Sequence, residues 1–259
     1  MQIVSLGDLI LDVIVGLDAP LVSGDDRPAT TAVGAGGQAA NVAAWAASLG
    51  ASARYVGKRG ADAAGALAAA ELRAHGVEVA GPAAGRNGVV VSIASEGERS
   101  MASDRGSATE LEPDELEPAW FECDRLHISG YALLIGPIAL AAMHAVELGR
   151  AAGASVSIDL SAWTLIDDVF RDRVHSCSPD TVFASERERN VFGDLGTDWV
   201  VKRGAGGVNV GGVDYPALPC DVLDPTGAGD AFAAGYLVGG VELGLAAAAR
   251  CCAKLGAMP

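Results

Sequence analysis

Toward its C-terminal end the chain reads Leu223-Asp-Pro-Thr-Gly-Ala-Gly-Asp-Ala-Phe232, and these residue types at this spacing can do phosphoryl chemistry. Pro225 ends an extended piece, Thr226-Gly227-Ala228-Gly229 is a turn with a permissive backbone, and Asp230 begins an apolar helix through Phe232, Tyr236 and Leu237. Successive N–H groups at such a helix start form an anion hole, reinforced by the helix dipole. A carboxylate there opposes a loop that only binds phosphate. It suits a loop in which Asp230 takes the proton of an attacking hydroxyl while Gly227, Ala228 and Gly229 hold charge on the group in transfer. The helix N-terminus is expected to keep Asp230 ionised. The competing reading is an Asp that merely caps a helix after a Gly turn. Asp224 reads as a local hydrogen-bonding or counter-ion group, or as the start of a turn.

A second glycine-rich motif, Gly34-Ala-Gly-Gly-Gln-Ala-Ala-Asn41, leads into an Ala-rich helical stretch. It contains a literal GxGxxA. A dinucleotide fingerprint, however, follows the first strand directly and has an acidic residue about 20 positions further on. Here an irregular segment intervenes, and the region around Arg59 to Asp62 is itself Gly-rich loop. The motif therefore reads as a substrate-approach loop. Gly36 and Gly37 let backbone come close to a ligand, and Asn41, one turn into the helix, offers both a donor and an acceptor.

The two motifs together resemble the signatures of the ribokinase/PfkB carbohydrate kinase family, and the resemblance covers nearly the whole chain. Gly7-Asp-Leu-Ile-Leu-Asp12 looks like the family's first-strand motif, with Asp12 in the place of its acidic substrate-binding residue. Gly97-Glu-Arg99 followed by Arg105-Gly-Ser-Ala108 resembles the lid-return region, and Val201-Lys-Arg-Gly204-Ala-Gly-Gly207 the nucleotide-side loop. The closing Lys254-Leu-Gly-Ala-Met-Pro259 is a typical family ending. The resemblance implies ATP-dependent phosphorylation of a sugar or nucleoside hydroxyl, a Rossmann-like core, a β lid and Mg²⁺. It places Asp12, Gly36, Gly37, Asn41, Arg99 and Arg105 on the substrate, and Lys202, Gly204, Gly207 and Thr226 on the nucleotide. Where the family carries Asn-x-x-Glu to organise the metal, this chain has Ser185-Glu-Arg-Glu188, so Ser185 stands where Asn is expected. Ser-x-x-Glu is also the capping-box pattern, and both roles can coexist. No G-x-x-x-x-G-K-[ST] is present, which excludes a P-loop kinase.

Positioning these residues requires an alternation of strands and helices, and the sequence supplies one. Ile3 to Leu6, Arg54 to Val56, Val89 to Ile93, Arg125 to Ile128, Ser155 to Ile158, Thr181 to Phe183 and Trp199 to Val201 read as strands. Helical patterns cover Gln38 to Leu49, Ala61 to His75, Pro137 to Ala152, Ile166 to Ser176, Ser185 to Phe192, Asp230 to Leu237 and Val241 to Leu255. The expected fold is α/β, a mostly parallel Rossmann-like sheet covered by helices on both faces. Val156 to Ile158 reads as apolar on both faces, as such a sheet requires. Residues 13–33 and 86–105 break the alternation and read as strand–turn–strand pieces of a small β lid, inserted in one domain spanning 1–259.

The 259 residues are 50% hydrophobic and 20% charged, enough to bury a large core and unlike a disordered chain. Lys plus Arg number 18 against 33 for Asp plus Glu, a net charge of -15 that repels phosphate backbones and anionic lipid. Nucleic acid and membrane surfaces are therefore not expected partners. Apolar runs are too short to span a bilayer and no signal peptide is read, so a cytoplasmic protein is expected. A short lid of this kind is completed by a neighbouring subunit in a homodimer, which is the expected assembly. Cys123, Cys177, Cys220, Cys251 and Cys252 form no CxxC pair, and the four histidines have no metal-site spacing, although His127 ends a strand close to where such sheets bind ligands. Residues 13–33 and 86–105 contain no Phe, Tyr or Trp to sandwich a base, and they contain Arg99 and Arg105, which suit a carboxylate or phosphate. A sugar or sugar acid is thus preferred over a nucleoside, which could still stack on Tyr131 or Trp163. A catalytically silent relative and a dinucleotide oxidoreductase are the other classes considered.

Overall fold

β-branched runs of five or so residues alternate with Ala- and Leu-rich stretches, and each takes the form its period dictates. The computed structural model describes residues 1–95 and 98–259, with side chains for 1–94 and 100–259. In chain order the strands are β1 (Gln2–Leu6), β2 (Ile10–Leu17), β3 (Thr30–Gly36), β4 (Ser52–Val56), β5 (Glu78–Ala80), β6 (Asn87–Ser95), β7 (Glu98–Gly106), β8 (Arg125–Ser129), β9 (Ser155–Asp159), β10 (Thr181–Ser185), β11 (Asp198–Lys202), β12 (Val208–Val210) and β13 (Val213–Tyr215). The helices are α1 (Gln38–Ser48), α2 (Ala63–Ala74), α3 (Gly136–Ala151), α4 (Asp168–Cys177), α5 (Glu186–Phe192), α6 (Ala228–Gly239) and α7 (Val241–Cys252).

Nine strands form one sheet in the order β13-β12-β11-β10-β9-β8-β1-β4-β5. From β5 to β11 every neighbouring pair is parallel, and β12 and β13 continue antiparallel at one edge. The chain starts in β1, moves out to β5, then returns to β8 on the other side of β1. That reversal is the kind of switch point where α/β sheets bind ligands beyond the carboxyl ends of the strands.

Alternation along β1 shows how the layers are built. Ile3 joins an apolar cluster with α1 and α6 on one face, while Val4 and Leu6 join a second cluster with α3 on the other. In β9, Val156 and Ile158 share the α3 face, and Ser157 between them faces the opposite side, 3.0 Å from His127 Nδ1. The expectation that this strand is apolar on both faces is thus corrected: a buried polar pair occupies the α1 side.

A second, four-stranded sheet, β3-β2-β6-β7, comes from the two stretches that break the alternation. β2 pairs antiparallel with β3 and parallel with β6, and β6 pairs antiparallel with β7. These strands are inserted in the crossovers that link β1 to β4 and β5 to β8, which hangs the small sheet over the switch point. Among the described residues no helix is long and apolar enough to cross a membrane.

Candidate active site

Asp230 lies in the first turn of α6, and Asn41 in α1 donates its Nδ2 hydrogen to Asp230 Oδ2 at 2.7 Å. Gly227 precedes the helix with φ +75°, a conformation suited to glycine, and a Cβ there would overlap Ala257 in the C-terminal segment. The N–H groups of Gly229 and Asp230 belong to the first turn, which has no intrahelical acceptor for them. Ala228 differs from expectation, because its N–H donates to Pro225 C=O at 3.2 Å. The open donors are thus shifted one residue along the helix.

The expectation that the helix N-terminus keeps Asp230 ionised is also corrected. Burial pushes its carboxyl up to about 7. The Asn41 hydrogen bond and Lys202 pull it down, while Asp159 and Asp12 push it further up. A group poised there is suited to accept a proton near neutral pH.

Lys202, at the end of β11, forms an ion pair with Asp159, at the end of β9. Asp159 is almost fully buried, and its charge more than offsets the burial that would lower the Lys202 ammonium. The Lys202 Nζ also lies against Gly229, so a positive charge borders the anion hole. Asp159 escaped sequence reasoning. Its signal was an acid closing an apolar strand at the ligand-binding edge of the sheet.

On the other side, Asp12 in β2 faces Gly34 in β3, and a Cβ on Gly36 would overlap its carboxylate. Asp12, Gly36, Gly37 at the start of α1 and Asn41 are therefore brought together, as the motif implied. Asn41 Oδ1 is buried with no partner within the described residues. Arg105 is placed elsewhere than expected. Its guanidinium grips Asp8 through two contacts of 2.6 and 2.5 Å, gives a third bond to Tyr131 C=O at 3.0 Å, and stacks on the Tyr131 ring. That fork ties β7 to the segment after β1. Arg99 pairs through its backbone with Ala94, and its side chain lies outside the described residues.

Gly204 and Gly207 form the tight loop between β11 and β12, closed by Arg203 N–H on Gly207 C=O at 2.8 Å. Thr226 turns inward: its N–H and hydroxyl both donate to Asp224 Oδ1, at 2.9 and 2.5 Å. Asp224 Oδ2 accepts Gly256 N–H at 3.0 Å, so Asp224 pins this loop to the C-terminal segment. His127 is fully buried, and burial lowers its imidazole to about 4. It is a neutral core histidine that does not open on the cleft.

Ser185 and Glu188 make a complete capping box on α5. Ser185 N–H donates to Glu188 Oε2 at 2.6 Å, and Glu188 N–H to Ser185 Oγ at 3.3 Å. Among the described residues no three acidic, Cys or His side chains converge as a metal cage. Mg²⁺ needs no such cage, since one or two carboxylates with waters and substrate phosphates hold it. Glu188, buried and close enough to Lys202 and Tyr131 to shift their protons, fits that use.

The sequence pattern of the pfkB family carbohydrate kinases matches residues 1–198. The chain belongs to this family. As a pfkB kinase it is an ATP-dependent carbohydrate kinase. It is 29% identical to an ATP-dependent ribose-1-phosphate kinase of Halopiger xanaduensis, over 97% of this chain and 90% of that one. It is 30% identical to a fructokinase of Escherichia coli, over 93% of this chain and 84% of the relative. Among solved structures, an adenosine kinase from Sinorhizobium meliloti superposes with a TM-score of 0.87 at 26% identity, covering 100% of this chain and 95% of that one. The ribokinase-like fold of the pfkB kinases is thus the fold of this chain.

Proposed function

We propose that this kinase transfers the γ-phosphoryl group of ATP to a hydroxyl of a sugar, with Asp230 as the general base. The observation that carries this reading is a carboxyl raised to about 7 and held by Asn41 among the open N–H groups of α6. Asp230 takes the proton from the acceptor hydroxyl. Gly229 and Asp230 N–H groups, with Lys202 beside them, hold charge on the phosphoryl oxygens. Gly204 and Gly207 admit the nucleotide close to backbone. Mg²⁺, when bound, screens the phosphate charge that an acidic protein would otherwise repel, with Glu188 and Ser185 organising its waters.

Asp12, Gly36, Gly37 and Asn41 form the sugar side, where the orphan Asn41 Oδ1 is suited to accept a hydroxyl hydrogen. The small sheet acts as a lid. The relatives named for fructose and ribose-1-phosphate support a sugar. Arg105 is engaged with Asp8, which weakens the case for a sugar acid. The nucleoside reading rests on the adenosine kinase likeness. The protein is read as cytoplasmic, where ATP is abundant, and as a homodimer. Val33 and Met101, more than half exposed on β3 and β7, offer apolar contacts at the outer strands of the small sheet.

An ADP-release assay decides between substrates. The expected result is a higher kcat/KM for ribose, fructose, ribose-1-phosphate or 2-keto-3-deoxygluconate than for adenosine, cytidine or pseudouridine. A nucleoside winning by tenfold overturns the sugar reading, and light scattering at micromolar concentration tests the dimer.

A further inference from the structure

Trp45 lies one turn beyond Asn41 on α1, on the same helical face, and the site described above gives it no role. Between Ala39 and Ala47 every residue except Asn41, Val42 and Trp45 is alanine, so the indole is the one large side chain of this stretch. Trp45 is buried, and its Nε1 hydrogen is donated to Ala257 C=O at 2.7 Å, across 212 residues of sequence. A phenylalanine would fill the same volume without needing a partner, whereas a buried indole N–H left unpaired is costly.

Ala257 stands directly behind the phosphate-side turn. A Cβ placed on Gly227 would come within 2.5 Å of Ala257 Cβ, so the two residues are in contact. The same C-terminal segment is fastened to that turn at other points. Gly256 N–H donates to Asp224 Oδ2 at 3.0 Å, and Cys251 Sγ lies 3.2 Å from Thr226 C=O and 3.8 Å from Ala257 C=O. Arg250 Cζ and Lys254 Nζ lie 5.3 and 5.4 Å from the centre of the Trp45 ring, so this segment folds around the indole. Helix α1 therefore meets the turn at two points. Asn41 holds Asp230 at 2.7 Å, while Trp45 holds the Gly227 end through Ala257. Gly229, whose N–H is open, lies between those two points along the chain.

We propose that Trp45 is a positioning residue: its indole N–H, acting through Ala257, sets the anion-hole turn in register with Asp230. The inference rests on the kinase reading above. No proton or bond changes at Trp45; it fixes where the open N–H groups stand relative to the base and to the acceptor that Asn41 adjoins.

Trp45→Phe removes the N–H and keeps a ring. With the best acceptor of the panel, kcat should fall about tenfold, less than the roughly 100-fold that a misplacement of about 1 Å can cost. KM for the acceptor should stay within about twofold, since Asp12, Gly36, Gly37 and Asn41 are untouched. Ala257→Gly keeps the carbonyl that Trp45 holds and removes the methyl group that meets Gly227, so it should lower kcat by a similar factor. The double variant should be no slower than the slower single variant, because both changes break one chain of contacts. A tryptophan that only fills the core would not couple to Ala257 in this way. Thermal melts set an assay temperature at which each variant is folded. A Trp45→Phe kcat within about twofold of the wild type overturns the proposal, as does a loss confined to KM, or kcat losses that multiply in the double variant. If Trp45→Phe does not fold, Ala257→Gly decides alone: a lower kcat at constant acceptor KM is the expected result, and an unchanged kcat overturns the proposal. An active wild type with unimpaired variants overturns only the role of Trp45, whereas a wild type idle on every acceptor overturns the kinase reading and this role with it.

Discussion

Asn41 and Asp230, 189 residues apart in sequence, meet through one hydrogen bond of 2.7 Å, and that bond opposes the burial that raises Asp230. The donor stabilises the ionised carboxylate, so a residue of the glycine-rich motif opposes the burial that chiefly governs the protonation of the proposed base.

A base with a carboxyl at about 7 works only when ionised. In the free enzyme, kcat/KM should therefore rise with pH through about 7 with a slope of one and level off above about 8. A profile flat from pH 5 to 8 would show that Asp230 is ionised throughout or is not the base.

Asp230→Asn should lower kcat by about 10²–10⁴-fold, the span of a general base. It should also stabilise the fold. The native carboxyl, at about 7, binds its proton more tightly than the unfolded one at about 4. The native state therefore holds more protons between those values, and stability falls as pH rises across that window. The ionised group costs on the order of 2 kcal/mol above pH 7, once its partial exposure is counted. Tm of Asp230→Asn should exceed that of the wild type at pH 8 and approach it at pH 4. A variant less stable at pH 8 would refute the raised carboxyl.

Asn41→Leu removes the donor and keeps the approximate volume. The midpoint of the pH–rate profile should move up by about one unit, the worth of one charge-assisted hydrogen bond. An unmoved midpoint would leave the Asn41–Asp230 contact with no electrostatic role.

The strands and helices of the core were legible because their periods are unambiguous. β5, β12 and β13 were not, since each is three residues long and leaves no pattern to count. The glycine motifs pointed to Asp230, Asn41, Gly36 and Gly37 as candidates, and the structure brings Asn41 against Asp230 and Gly36 against Asp12. Arg105 misled, because a lone arginine looks available and its partner Asp8 lies 97 residues away in sequence. Asp159 carries no local motif, and it meets Lys202 only because β10 pairs in parallel with both β9 and β11.

Ser185 separates the cap from the metal. Ser185→Ala should cost about 1 kcal/mol of stability by removing the N-cap of α5. Ser185→Asn should keep that stability, since Asn is an equally good cap, and should preserve or improve activity. Glu188→Ala should raise the Mg²⁺ concentration for half-maximal rate. Titrating Mg²⁺ in the ADP-release assay checks both, and a clear loss of activity in a Ser185→Asn variant of unchanged stability would refute Ser185 as a stand-in for the family's metal-side Asn.

The Asp159–Lys202 pair makes opposite predictions from its two ends. Lys202→Met leaves a buried carboxylate unpaired and should cost about 3–5 kcal/mol, whereas adding Asp159→Asn should restore most of that loss. The same pair acts on Asp230, which Asp159 pushes up and Lys202 pulls down. Asp159→Asn should therefore move the pH–rate midpoint to lower pH, and Lys202→Met, where it folds, to higher pH. Chemical denaturation and pH–rate profiles of the two single variants and the double read both effects. Midpoints that move together, or not at all, would show that the pair braces β9 against β11 without tuning the base.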